Sequence, residues 1–214
     1  MRKLLLAGLV LLLLLSLFSL YELIRFNDGK LHVVFCRVGQ GDGIFVRTPK
    51  GLDVLVDGGP DDSILSCLSS HMPFWDKTIE LMFLSHPHAD HMRGFLEVLK
   101  RYKVLSFNTE KLENDTVLYR ELIKEINEEK LTIKYLEAGD KFKTKDGVIF
   151  SILHPSQNFL LRTSPGGSIK ESSEFASLII LLSYKNEDIL LTGDSQLSGL
   201  EEAIKEVSSV KVLQ

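Results

Sequence analysis

An α+β fold, with mixed sheets and helices packed outside them, is what this sequence predicts, with a separate hydrophobic helix ahead of it. Three observations carry the prediction. From residue 31 onward, short β-rich runs alternate with segments of helical period. Residues 4–20 form a leucine run behind Arg2 and Lys3 and stand outside that alternation. Three of the six histidines fall between His86 and His91, directly after an apolar run, at the strand-to-helix loop where open sheets place ligands.

Residues 1–25 read as an export signal, either a signal-anchor or a cleaved signal peptide. As a helix, residues 4–20 rise about 26 Å against a hydrocarbon core of about 30 Å. Leu23 and Ile24 extend the span, and Glu22 interrupts it. No clear small-x-small cleavage site follows, which favours the anchor. With Arg2 and Lys3 kept in the cytoplasm, the domain lies outside a cell membrane crossed once; cleavage would make it secreted.

The remaining residues, 31–214, suffice for a single large core. Residues 31–38, 44–46 and 52–56 read as three strands. The first turn, Gly39-Gln40-Gly41-Asp42-Gly43, needs glycine's freedom, and the third strand ends in Asp57-Gly58-Gly59. A helix over 61–70 with Asp61 or Asp62 near its N-cap leads to a loop at 71–75, where His71 is taken as a surface residue. Residues 79–84, apolar except for Glu80, read as a buried strand; helical pattern resumes over 94–102, and 104–107 is the next strand. Asp115 is expected to cap a helix reaching residue 129, with Val117, Leu118, Leu122, Ile123 and Ile126 on its apolar face. Strands follow at 131–136 and 148–153. The segment 156–174 is polar and rich in serine and glycine, a long loop that is either a lid or unstructured. A hairpin over 175–191, a helix over 197–207 and a strand over 210–214 complete the pattern.

His86, His88, Asp90 and His91 offer nitrogen and oxygen donors of the kind Zn²⁺, Mn²⁺ or Fe²⁺ takes. His86 and His88 can face one ion while Asp90 and His91 face a second. Histidine and aspartate grouped at a strand end rarely have a packing reason. Cys36 and Cys67 fall on a strand and in a helix. An exported domain permits a disulfide, but this spacing does not predict one, and buried free thiols are the expectation.

The motif His-x-His-x-Asp-His resembles the signature of the metallo-β-lactamase fold superfamily. Val38-Gly39-Gln40-Gly41-Asp42-Gly43, Val56-Asp57-Gly58-Gly59-Pro60, His86-Pro87-His88-Ala89-Asp90-His91 and Leu191-Thr192-Gly193-Asp194 occur in that order. As an ordered set they resemble the metallo-β-lactamase-like domain of ComEC-type DNA-internalisation proteins and their stand-alone relatives. The resemblance implies an αββα sandwich over 31–214. It implies two divalent ions, Zn or Mn, the first held by His86, His88 and His154, the second by Asp90 and His91, with Asp194 bridging. Asp57 would orient ligands from beneath the site, and Asp90 would also orient the attacking water. An aspartate at position 194 resembles the hydrolases of phosphodiesters and thioesters more than the antibiotic-hydrolysing enzymes.

Two departures from the family pattern stand out. Glu174 occupies the place of an asparagine usual just before the Ser177-Leu178 pair. The family's His-His-Gly-Ser motif does not arrive after residues 210–214, so the sandwich is expected to be incomplete at its C-terminus and its second metal site short of a ligand. By resemblance the substrate is DNA or another phosphodiester, in the manner of competence-type DNA uptake. A lactam or thioester hydrolase, or a non-catalytic metal-binding domain tethered to the membrane, stays open as an alternative, as does a channel partner. The net charge of −4 argues against a broadly basic nucleic-acid-binding surface.

Overall fold

The computed structural model describes residues 2–171, 176–206 and 212–213. The first element is a 25-residue helix, α1 (Arg2–Phe26), whose leucines face outward along its whole length. It is long and apolar enough to cross a membrane, or to serve as a signal sequence.

The domain proper opens as an antiparallel meander, β1 (His32–Phe35), β2 (Ile44–Arg47) and β3 (Asp53–Val56). Helix α2 (Ser63–His71) then crosses to β4 (Thr78–Ile79) and β5 (Leu81–Leu84), and β5 lies parallel to β3 with Val56 opposite Phe83. Helix α3 (Ala89–Leu99), strands β6 (Lys103–Val104) and β7 (Phe107–Thr109), helix α4 (Val117–Glu128) and β8 (Ile133–Tyr135) continue the parallel half. The result is a six-stranded sheet ordered β1-β2-β3-β5-β7-β8, with β4 and β6 paired separately. A second sheet contains β9 (Lys141–Lys143), β10 (Ile149–His154), β11 (Ile179–Tyr184), β12 (Glu187–Leu191) and β13 (Val212–Leu213), adjacent in reverse order. Helix α5 (Gln157–Thr163) follows β10, and α6 (Leu197–Ala203) follows β12.

Residue alternation along the strands builds the layers. In β2, Ile44 and Val46 point between the sheets while Phe45 points to the helices. Val54, Val56, Phe83, Phe150, Ile180 and Leu182 fill the space between sheets, and Phe83 stacks on Phe150 with ring centroids 5.9 Å apart. On the outer face of the first sheet, Leu55, Met82 and Phe107 meet Ile64, Phe95 and Leu122 of the helices. Ile179 and Leu190 meet Ala203 of α6 on the outer face of the second. These are the four layers of the expected αββα sandwich.

Several boundaries differ from expectation. Helix α3 begins at Ala89 rather than 94, since His88 is extended and its carbonyl accepts from the amides of His91 and Met92. Thr116, not Asp115, caps α4, its hydroxyl accepting from the Tyr119 amide. The polar stretch after His154 contains α5, whose Phe159 is buried against Leu112, Ile169 and Ala176. His71 closes α2 and is exposed, as expected of a surface residue. The cysteines overturn their expectation: half-buried Cys36 and Cys67 are joined as a disulfide, because α2 packs over the end of β1 and brings their Cα atoms to 5.7 Å. Glu174, Phe175 at the start of the expected hairpin, and residues 207–211 and 214 of the expected last helix and strand lie outside the described residues.

Candidate metal centre

The cluster forms where β5 ends. Pairing of Val56 with Phe83 sets Asp57, the residue after β3, beside Ser85, the residue after β5. Asp57 is buried and sits at φ 57°, a turn that swings its carboxylate under the histidine loop. One oxygen accepts from the Ser85 amide at 2.8 Å; the other accepts from the Ser85 hydroxyl at 2.6 Å and lies 2.8 Å from His91 Nδ1.

Two glycines let the helix come this close. A Cβ on Gly94 would stand 1.9 Å from the Gly58 carbonyl oxygen, so α3 can seat its first turns on the Asp57-Gly58-Gly59 loop only with glycine there. The amides of Gly58 and Gly94 donate to the carbonyls of His91 and Gly59. Likewise Gly41, at φ 75°, passes so near Asp90 that a Cβ would lie 2.1 Å from its carbonyl oxygen.

His86 and His91 are fully buried, with ring centroids 4.2 Å apart; His88, at the mouth, lies 4.5 Å from His86. Ser85 Oγ is 3.0 Å from His86 Nδ1, and His86 Nε2 is 2.9 Å from His88 Nδ1. From the second sheet, Thr192-Gly193-Asp194 reaches the same point. Asp194 places its two oxygens 3.5 Å from His91 Nε2 and 3.8 Å from His86 Nε2. Gly193 packs against Ser177 and Ser85, which closes the seam between the sheets.

The electrostatics of the two buried imidazoles diverge. Burial, reinforced by its histidine neighbours, pulls His86 down to about 2, so this ring is neutral. Burial also opposes charge on His91, but the Asp57 hydrogen bond and the surrounding carboxylates outweigh it and push His91 up to about 9. Burial lowers His88 as well, with Asp90 and Asp194 acting against that shift.

The donor set suits a divalent cation. His86, His91 and Asp194 bring one donor atom each within 4.8 Å of one another, and Asp42, Asp57 and His91 form a second such group. His91 Nε2 is buried without a hydrogen-bond partner, a cost that a metal bond would remove. Mixed imidazole nitrogen and carboxylate oxygen match Zn²⁺, Mn²⁺ or Fe²⁺.

Of the residues expected from the sequence, His86, His88, His91 and Asp194 converge, and Asp57 stands behind His91. Asp90 is half-buried in the first turn of α3. His154 belongs to neither donor group. After a register shift between Ile152 and His154, its ring packs edge-on to Phe159, its Nδ1 is 3.3 Å from Glu202, and Gly199 of α6 backs its Nε2. Burial lowers it to about 4 despite Glu202.

Two residues near the site were not singled out from the sequence. Asp42 belongs to the second donor group, and the glycines flanking it were its only signal. Glu110, directly after β7, is fully buried; burial raises its carboxyl well above the ordinary range, and it accepts from the Thr109 hydroxyl.

No protein-family model and no curated protein matches the chain by sequence. Solved structures do match. The Rm3 metallo-β-lactamase aligns at a TM-score of 0.50 and 16% identity over 90% of this chain and 80% of its own. The chain has the metallo-β-lactamase fold. Igni18, a metallo hydrolase from Ignicoccus hospitalis, aligns at 0.51 and 14% identity over 86% of this chain and 69% of its own. CmlA, a diiron β-hydroxylase from Streptomyces venezuelae, aligns at 0.53 and 15% identity over 85% of this chain, which spans only 34% of that enzyme. Within this shared fold the chain's cluster lies at the ends of the strands, on the seam between the two sheets.

Proposed function

We propose that this chain is a metal-dependent hydrolase, held at the outer face of a membrane by α1, that cleaves phosphodiesters. The observation that carries the reading is the convergence of His86 Nε2, His91 Nε2 and the Asp194 carboxylate from two different sheets. In this reading His86, His88, His91 and Asp194 hold divalent metal, with Asp90 beside them. Once bound, such ions lower the pKa of a water and polarise a phosphoryl or carbonyl oxygen. The chain's own residues do the rest. Asp57 keeps a proton on His91 Nδ1, so that Nε2 is presented as a donor. Ser85 ties the Asp57 carboxylate to the His86 ring. Asp90, half-buried at the start of α3, is suited to accept a proton from the attacking water.

Export is supported by the apolar α1 and by the Cys36–Cys67 disulfide, which persists in oxidising compartments. The phosphodiester preference rests on Asp194 and on the ordered motifs, and DNA uptake is the setting they suggest. A second reading, hydrolysis of a lactam or thioester, uses the same donors.

The test is to load the purified chain with Zn²⁺ or Mn²⁺. Hydrolysis of bis-p-nitrophenyl phosphate, single-stranded DNA, a chromogenic lactam and an acyl thioester is then compared, with Asp194→Asn as the control. Metal-dependent phosphodiester cleavage abolished by Asp194→Asn supports the reading. Lactam or thioester turnover alone replaces it with the second, and failure to hold metal removes both.

A further inference from the structure

Trp75, the chain's only tryptophan, lies 47% exposed on the loop between α2 and β4, next to Phe74 at 58%. Large aromatics at a loop tip usually tuck inward, and these do not. Their neighbours are on α1. Phe74 stacks on Phe18 with ring centroids 5.9 Å apart, and Trp75 stands edge-on to Phe74 at 4.8 Å. Trp75 also walls a mainly apolar groove along α1, formed by Leu12, Leu15, Leu20 and Leu23 with the small hydroxyls of Ser16 and Ser19.

The end of the helix is fixed to the domain. Arg25 donates to the Ser70 carbonyl at the close of α2, and Arg47 of β2 donates to the carbonyl of Phe26. Glu22, the residue that interrupts the apolar run, is only 7% exposed and lies 3.7 Å from Arg25. Its carboxylate is therefore turned to the protein side, and the outward face of α1 stays apolar.

Depth follows from helix geometry. If residues 4–23 fill a hydrocarbon core of about 30 Å, Phe18 lies about 7 Å inside its edge. A loop stacked on Phe18 cannot then be in water.

We propose that Phe74 and Trp75 form a second membrane contact, inserting into the lipid leaflet beside α1 and laying one fixed face of the domain against the bilayer. The occupant of the groove is lipid acyl chain, because the surface is continuous with the spanning helix and carries a tryptophan at its edge, as membrane–water interfaces do. The inference rests on the reading of α1 as an anchor and adds a definite orientation to the tether.

Because Trp75 is the only tryptophan, its fluorescence reads the proposal directly. The full chain is reconstituted into phosphatidylethanolamine–phosphatidylglycerol vesicles, with and without acyl chains brominated near the glycerol end, and floated on a density gradient. The expected result is co-flotation, about twofold or greater quenching of Trp75 by the brominated lipid, and weak quenching by aqueous acrylamide. Co-flotation with strong acrylamide quenching and none from bromine would overturn the docked loop while leaving the anchor standing. A chain that does not float overturns the anchor reading and this inference with it. Phe74→Asp, made in the same full chain, is expected to red-shift Trp75 emission without releasing the protein from vesicles; unchanged emission counts against insertion.

Discussion

Asp57 Oδ2 lies 2.8 Å from His91 Nδ1, and the same carboxylate takes both the amide and the hydroxyl of Ser85. One buried group thus joins the end of β3 to the end of β5 and the start of α3. Asparagine tolerates the positive φ of position 57, so Asp57→Asn tests the charge and the hydrogen bond rather than the backbone. With the Ser85 amide still bonded, the new Nδ2 faces His91 Nδ1 and drives the imidazole proton to Nε2, where it blocks a metal. Metal affinity is expected to fall about 10–100-fold, measured by competition with a chromophoric chelator.

The divergent histidines predict a pH dependence for loading. At pH 7 His86 is already neutral, whereas His91, pushed up to about 9, carries a proton on the nitrogen that faces Asp194. A metal must displace that proton. Apparent affinity should therefore rise about tenfold per pH unit up to about pH 9 and then level off. Calorimetry in buffers of different ionisation enthalpy should show about one proton released per ion at pH 7.

Glu110 gives a stability test with a definite sign. Its carboxyl is raised well above the ordinary range, so it stays neutral in the fold while the unfolded chain ionises. Stability contributed at low pH is lost as pH climbs above the unfolded value. Glu110→Gln removes that titration and keeps the shape. Urea unfolding at pH 5 and pH 8 should show the variant gaining on the wild type as pH rises.

Gly94→Ala should reverse the usual helix rule. In an open helix the change stabilises by about 1 kcal/mol. Here the added methyl would meet the Gly58 carbonyl at 1.9 Å. Overpacking of this kind costs about 1–3 kcal/mol, and the shift it forces on α3 moves Asp90 and His91. Thermal melting and metal content should both fall.

The disulfide joins two residues 31 positions apart in the sequence. Chain entropy predicts that Cys36→Ser with Cys67→Ser loses about 3–4 kcal/mol, read from urea midpoints with and without a reductant.

Residues 79–91 were the most legible part of the chain. An apolar strand run and clustered donors are local signals; the structure keeps the cluster and the strand over Leu81–Leu84, but breaks the run at Glu80, so that Ile79 pairs with β6 instead. The start of α3 was misjudged because His88, Ala89 and Asp90 carry no apolar period, although an acidic residue in the first turn is itself a helix-start signal. Helix α5 was missed because its period is short and its serine cap lay in a polar stretch. The pairing of Cys36 with Cys67 depends on how α2 crosses β1, which no spacing encodes. The packing of His154 against Phe159, next to a register shift in β10, is likewise invisible to a strand pattern of period two.

The donors of the centre come from both halves of the sandwich: the histidines close β5 in the first sheet, and Asp194 closes β12 in the second. Neither half alone can offer the complete set, so a cation bound here acts as a clamp across the interface between the sheets. Its binding free energy then adds to the cohesion of the two halves, growing with the logarithm of free metal. If the chain is exported as proposed, capture of metal would come last, after the sheets have met, and metal content would report that the two halves have closed on each other.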